Sequence, residues 1–482
     1  MDWIRVPGRR NRLLLGGVGL GLCAAVAAGP GTASAASAAA PSPALVAAEI
    51  APAVQLVQVE YQATVVVHHF RADTAAISAA VAQLHAEQAN GELGTSLQAI
   101  NDQWATELGS DPDRYEDATG AVTTYRTTVG ALCTGWFATP TGYLVTAAHC
   151  VAKSEAARDV LSNVGGIYIP AELRALLAQW RRNGVPIDPT ITSGLNQAVT
   201  TWYSGHAAVT AISSRAMVAL STAGASAPRI LPAAVVAAGT PYPGQDFALL
   251  KVSGESQLPS LALGDSGSLA VGDNLYVDGF PGTVTSDPLF SLASRLQPTF
   301  TDGLLSAFRM TVQHVPYLQT QAPAYHGNSG GPVLAADGQV IGILIAGTVD
   351  PDTGQTVAGE QFVLPSSVLA RLLAAHGVRA EASPVTIAYA AALGDYNQGY
   401  YSRALSGFRR VLAAYPQHPY AAHYAALSRQ QIAAGNDRTP RPSSSGPGII
   451  MIAVTAALMA AAAAAIIVLV RRRRSGAAAG LR

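Results

Sequence analysis

Residues 326–333 read HGNSGGPV, and the fold turns on what Ser329 does between its glycines. By itself the stretch fits a tight turn that needs positive φ, the strained G-x-S-x-G elbow of an α/β-hydrolase, or a nucleophile of another kind. A serine hydroxyl becomes a nucleophile when a histidine takes its proton and a carboxylate holds that histidine in one tautomer. The partners therefore decide. TAAHC (146–150) ends an apolar run at His149, and GQDFALLKV (244–252) sets Asp246 at the head of another, so the order is His, Asp, Ser. An α/β-hydrolase needs its acid and base after the serine, where Asp350 and His376 stand, and a helix directly behind it. Here GGPVLAADGQVIGILIAG (330–347) reads as strand, Asp-Gly turn, strand.

Working outward, TTVGALCTGWFATPTGYLVTAAH (127–149) is two apolar runs around a TPTG turn, and 246–365 is short strands punctuated by Gly, Pro and Asp. That texture suits a β-barrel or sandwich. From about Ala44, LVAAEIAPAVQLVQVEYQATVVV (45–67) reads as a strand. Two stretches interrupt the strands: about 68–122, with helical spacing in AAISAAVAQLHAEQ and SLQAINDQWATEL, and about 152–240, with the helical AELRALLAQWRR. Both are expected to be insertions. His68 and His69 are adjacent but lack a third ligand at suitable spacing, so they are read as strand residues.

The ends carry their own signals. Arg5, Arg9, Arg10 and Arg12 precede LLLGGVGLGLCAAVAAG and the small residues TASAASA, an export signal over 1–38. GIIMIAVTAALMAAAAAAIIVLV (448–470) is uncharged and, at about 1.5 Å per residue, would reach roughly 34 Å, enough for a bilayer core. RRRR (471–474) follows, which predicts a cytoplasmic tail over 471–482 and an extracytoplasmic bulk. If Cys23 leaves with the signal, Cys133 and Cys150 remain as a pair in an oxidising compartment, which favours a disulfide over a metal site; no metal and no cofactor are expected. Formal net charge is zero and lysine occurs only at Lys153 and Lys251, which speaks against nucleic acid as a partner.

Residues 385–436 turn helical. Gly399, Tyr401, Ala404, Phe408 and Pro416 resemble the small and aromatic positions of a tetratricopeptide unit, with a second unit begun. One such hairpin cannot bury its own face, so it packs on the preceding domain or binds a peptide partner. Residues 437–447 then read as a flexible linker to the membrane segment.

CTGWFATPTGYLVTAAHC, GQDFALLKV and HGNSGGPV resemble the three catalytic blocks of trypsin-like serine proteases. LALGDSGSLAVGDNLYVDGFPG, Asn328 and EQFVLPSSVLARLL resemble the HtrA/Deg branch of that family. The resemblance covers most of 44–380 outside the two insertions. It implies a mainly β fold of two six-stranded barrels, and a serine endopeptidase acting on protein or peptide substrates. His149 would be the general base, Asp246 its orienter and Ser329 the nucleophile, with the oxyanion hole at the N–H groups of Gly327 and Ser329. A substrate pocket would have Pro323 at its floor, with Ile345 and Gly347 on the strand that pairs with substrate. The Cys133–Cys150 spacing is like that of the disulfide that anchors the histidine loop in such enzymes. Asn328 replaces the aspartate that pairs with a freed N-terminus in trypsin, so no activation of that kind is expected. No PDZ domain is recognised; a helical hairpin and membrane segment stand there instead. A homo-oligomer, and a protease-fold scaffold that binds exported proteins without cutting them, both remain open.

Overall fold

The computed structural model describes residues 41–220, 228–349, 356–440 and 458–470. Its strands close into two six-stranded barrels. The first holds β1 (Val54–Ala72), β2 (Glu116–Phe137), β3 (Tyr143–Thr146), β4 (Ala207–Leu220), β5 (Arg229–Ala238) and β6 (Ala248–Val252), in the spatial order β1-β2-β3-β6-β5-β4. The second holds β7 (Asn274–Gly279), β8 (Thr299–Met310), β9 (Pro316–Thr320), β10 (Pro332–Leu334), β11 (Val340–Val349) and β12 (Thr356–Pro365), in the order β10-β11-β12-β9-β8-β7. Alternation drives the pairing. Along β1, Val59, Tyr61, Ala63, Val65 and Val67 are buried while Gln58, Glu60, Gln62 and Thr64 are less so, and the register against β2 runs from Val54↔Trp136 to Ala72↔Glu116.

Beyond the first barrel, β1 and β2 continue as a ribbon whose far end carries α2 (Thr74–Ala89) and α3 (Leu97–Ser110). Asp73 and Ser96 cap these helices by accepting backbone N–H groups. α4 (Lys153–Arg182) leaves directly behind the histidine loop, and α5 (Pro189–His206) starts at the cap Asp188 with Pro189 in its first turn. The two insertions are one helical body: Ala105 and Leu108 of α3 pack with Ile191, Leu195 and Ala198 of α5. A Cβ on Gly194 would collide with the Ala105 carbonyl, so glycine permits the close crossing.

Three expectations are corrected here. The stretch 152–240 is not wholly an insertion, because β4 and β5 are two staves of the first barrel. Their Ala-rich sequences, AAVTAISSRAMVAL and RILPAAVVAA, lack the β-branched and aromatic density that marks a strand. The strand expected from about Ala44 is preceded by α1 (Pro43–Ile50), started by the Ser42 cap and Pro43. The expected helical hairpin has a third helix. α9 (Pro384–Asn397), α10 (Tyr401–Ala414) and α11 (Ala421–Ala433) follow α8 (Ser366–Ala375). Short helices α6 (Gly282–Thr285) and α7 (Leu292–Arg295) lie between β7 and β8.

The three-helix unit is docked on the barrels. Tyr389, Phe408 and Val411 share one continuous core with Val46 and Ile50 of α1 and with Leu144 and Leu249 of the first barrel. Gly399, at φ +80°, ends α9, and His418 caps α11, its Nδ1 accepting the N–H groups of Tyr420 and Ala421; burial pushes that imidazole down to about 3. Of the expected membrane segment 448–470, the described part, 458–470, is an exposed helix. Among the described residues no helix is long and apolar enough to cross a membrane. The expected signal 1–38, most of the linker and the tail lie outside the described residues.

Candidate active site

Three elements from the two barrels bring His149, Asp246 and Ser329 to one cleft of about 270 Å³. β3 delivers the chain to His149 through Ala147 and Ala148, both fully buried, which pins the loop. Asp246, 1% exposed, sits just before β6. One of its oxygens accepts the backbone N–H of His149 (2.9 Å), and the other faces the ring Nδ1 (2.9 Å) and accepts the Tyr242 N–H (3.0 Å). A carboxylate in that position keeps the proton on Nδ1 and leaves Nε2 as the basic nitrogen. Tyr317 seals the Asp246 loop by donating its hydroxyl to the Gly244 carbonyl (2.7 Å). Burial first, and then the nearby Asp246 charge, hold that phenol above its ordinary range.

Ser329 lies in the turn between β9 and β10. Gly327 has φ +101° and Gly330 φ +84°, and a Cβ on either would run into neighbouring backbone, Phe280 O or Thr134 O respectively. The Ser329 hydroxyl donates to the Ile345 carbonyl (2.9 Å) in this conformation. That carbonyl is free of the β11–β12 ladder because Ile345 is the extra residue of a bulge between Leu344↔Val363 and Ala346↔Phe362.

The amides of Gly327 and Ser329, expected to form an oxyanion hole, are oriented by the carbonyls that precede them. The His326 carbonyl accepts Gly282 N–H (2.7 Å) and the Asn328 carbonyl accepts Gly331 N–H (2.9 Å). In a trans peptide the N–H opposes the carbonyl, so each of these bonds turns the next residue's amide the other way. Among the described residues neither amide donates to a protein acceptor. Beneath the turn, Asp278 is 1% exposed, and burial raises its carboxyl to about 8, against the lowering effect of the Gly279 N–H.

The cleft walls include Ala324, Tyr325, Ile345, Gly347, Tyr242 and Gln361. Pro323, expected at the floor, is exposed and outside the cleft; its carbonyl accepts the Thr301 hydroxyl (2.9 Å), and Ala324 takes the wall position instead. The turn is wound so that the alignment slips by a residue. Sequence reasoning also missed Glu155 and Arg158, an ion pair on the first turns of α4 that lines the cleft beside His149. Their place directly after the histidine loop was the only available signal. Tyr242, stacked on Phe362 (5.6 Å, 10°), was missed as well.

Cys133 and Cys150 form a disulfide. Their sulfurs and a His149 ring nitrogen lie within 4.8 Å of one another, but both sulfurs are committed to the bridge and offer no thiolate to a metal. His68 faces the Thr119 carbonyl (3.1 Å) and His69 the Thr123 hydroxyl (2.8 Å), separate interactions on the ribbon.

Residues 198–343 match the model of the trypsin-like peptidase domain. That segment contains Asp246 and Ser329; His149 lies before it, on the other side of α4. Among curated proteins, the chain is 35% identical over 136 residues to serine protease HTR4 of Rattus norvegicus, covering 27% of this chain and 24% of that one. It is 34% identical over 136 residues to serine protease HTRA1 of Xenopus tropicalis, 27% of this chain and 25% of that one. Magnetosome formation protease MamE of Magnetospirillum gryphiswaldense is 37% identical over 134 residues, 27% of this chain and 15% of that one. The chain thus spans a quarter or less of the length of these relatives. A solved HtrA-type protease with tripeptide aligns at TM-score 0.35 and 17% identity, covering 70% of this chain and 65% of that one. The likeness is thus of one segment of this chain to a trypsin-like peptidase domain and to parts of HtrA-type serine proteases.

Proposed function

We propose that the protein is a serine endopeptidase that cuts exported or misfolded proteins outside the cytoplasm, anchored by residues 448–470. The observation that carries the activity is the double grip of Asp246 on His149, through ring and backbone, across the cleft from Ser329. An extended substrate adds a strand to β11, its backbone N–H taking the Ile345 carbonyl. That contact displaces the Ser329 hydroxyl, which rotates about χ1 toward His149 Nε2. His149 takes the proton as Oγ attacks the scissile carbonyl, and the oxyanion forms against the Gly327 and Ser329 amides. The protonated imidazole then gives its proton to the leaving amine, and water, activated by the same nitrogen, hydrolyses the acyl-enzyme.

The walls at Ala324, Ile345 and Gly347 offer no charge, so an Arg or Lys buried there would go unpaired at a cost of several kcal/mol. Small or medium apolar side chains are the expected fit. The unit α9–α11, docked on the barrels, serves as a tetratricopeptide-like spacer between protease and membrane. Casein digestion by the full-length protein tests the activity: Ser329→Ala lowers kcat by about 10⁶, and His149→Ala nearly as much. Digestion by both variants at the wild-type rate would leave only a scaffold role.

A further inference from the structure

The turn around Ser329 is held by a residue from the other barrel. Thr134, on β2 next to Cys133, is fully buried and makes four hydrogen bonds around the site. Its N–H donates to the Ser329 carbonyl (2.9 Å) and its hydroxyl to the Gly327 carbonyl (2.7 Å). The same hydroxyl accepts the Phe280 N–H (2.9 Å), and the Thr134 carbonyl accepts the Thr146 hydroxyl (2.7 Å), three residues before His149.

The peptide planes show what this does. The Ser329 amide that faces an oxyanion belongs to the plane joining Asn328 to Ser329. The planes before and after it carry the Gly327 and Ser329 carbonyls, the two groups that Thr134 holds. With both neighbours held, the middle plane is left only a crankshaft flip between its own Cα atoms, and that flip would break the bond from Gly331 N–H to the Asn328 carbonyl (2.9 Å) and strand that carbonyl. We propose that Thr134 is a positioning residue that keeps the oxyanion-hole amides aimed at the substrate and sets the serine turn in register with the histidine strand. It touches no reacting atom. This inference rests on the serine endopeptidase reading given above.

The hydroxyl is the part that can be removed alone, because valine keeps the shape of threonine. In Thr134→Val the Gly327 carbonyl and the Phe280 N–H both lose their partner, and the turn is free to tip. A misplacement of about 1 Å costs on the order of 10²-fold in rate, so kcat of the full-length enzyme on a peptide ester falls by about that factor while KM holds. Inhibition by a peptide boronic acid, whose tetrahedral adduct occupies the oxyanion hole, weakens in parallel, and affinity for the product peptide does not change. Thr134→Ser, which restores the hydroxyl, recovers kcat and boronate affinity. Thr134→Ala serves if the valine variant does not fold, with circular dichroism melts as the control. The proposal is overturned by unchanged kcat in a folded variant, by a rise in KM at constant kcat, or by failure of both variants to fold, since Thr134 would then hold only the barrel interface. A wild-type protein without esterase activity would instead sink the endopeptidase reading itself, so the two failures are distinct.

Discussion

Removing the disulfide by the double substitution Cys133→Ala with Cys150→Ala should destabilise the first barrel and depress catalysis before the fold is lost. The bridge closes a loop with a sequence separation of 17, and both cysteines are buried. In the chain-entropy model a loop of that length contributes about 3 kcal/mol, roughly a 10²-fold shift in the folding equilibrium. Its position adds a local effect, because Cys150 follows His149 and Cys133 precedes Thr134. Releasing the bridge therefore loosens the base and the serine turn together. Urea unfolding of the full-length protein in detergent, followed by tryptophan fluorescence, reads the stability term; Trp136 is fully buried and three residues from Cys133. Peptide-ester hydrolysis at urea concentrations well below the midpoint reads the local term. A midpoint and a kcat both indistinguishable from wild type would refute the reasoning, as would ready alkylation of Cys133 and Cys150 in freshly purified, unreduced protein.

Other outcomes follow from single residues. Asp246→Asn should lower kcat by about 10⁴-fold while the fold survives, because an amide no longer fixes the Nδ1–H tautomer; pre-steady-state kinetics checks this. Asp278 stays protonated in the fold up to about 8 and ionises near 4 when unfolded, so folding binds a proton across that window. Stability should therefore fall as pH rises from about 4 to about 8 and level off beyond, and Asp278→Asn should flatten the slope in urea midpoints measured across pH. A peptide library should show cleavage after Ala, Val or Leu, and predominant cleavage after Arg or Lys would contradict the uncharged wall at Ala324 and Gly347.

The meeting of His149, Asp246 and Ser329 in one cleft was legible because each sits in a short, chemically constrained block. Glycines flank Ser329 where side chains would strike backbone, and apolar strands run into His149 and out of Asp246. The bridge was legible from the cysteine count and the expectation of export. What escaped depended on tertiary placement. β4 and β5 are Ala-rich and take their strand form from the barrel neighbours rather than from their own propensity. α1 was hidden by an apolar run that fits strand and helix alike, although Ser42 and Pro43 marked its start. Pro323 was misplaced because counting back from Ser329 cannot reveal how the turn is wound. Thr134, Glu155 and Arg158 acquire meaning only where the two barrels, or α4 and the cleft, meet.

The central claim is that Ser329 is an activated nucleophile, and covalent labelling tests it most directly. A fluorophosphonate reacted with the full-length protein, digested and mapped by mass spectrometry, should give one adduct, on the peptide containing Ser329. The adduct should vanish in Ser329→Ala and become scarcely detectable in His149→Ala, because without the imidazole the hydroxyl keeps its proton. A folded wild-type protein that takes no label, or takes it equally well without His149, would contradict the account.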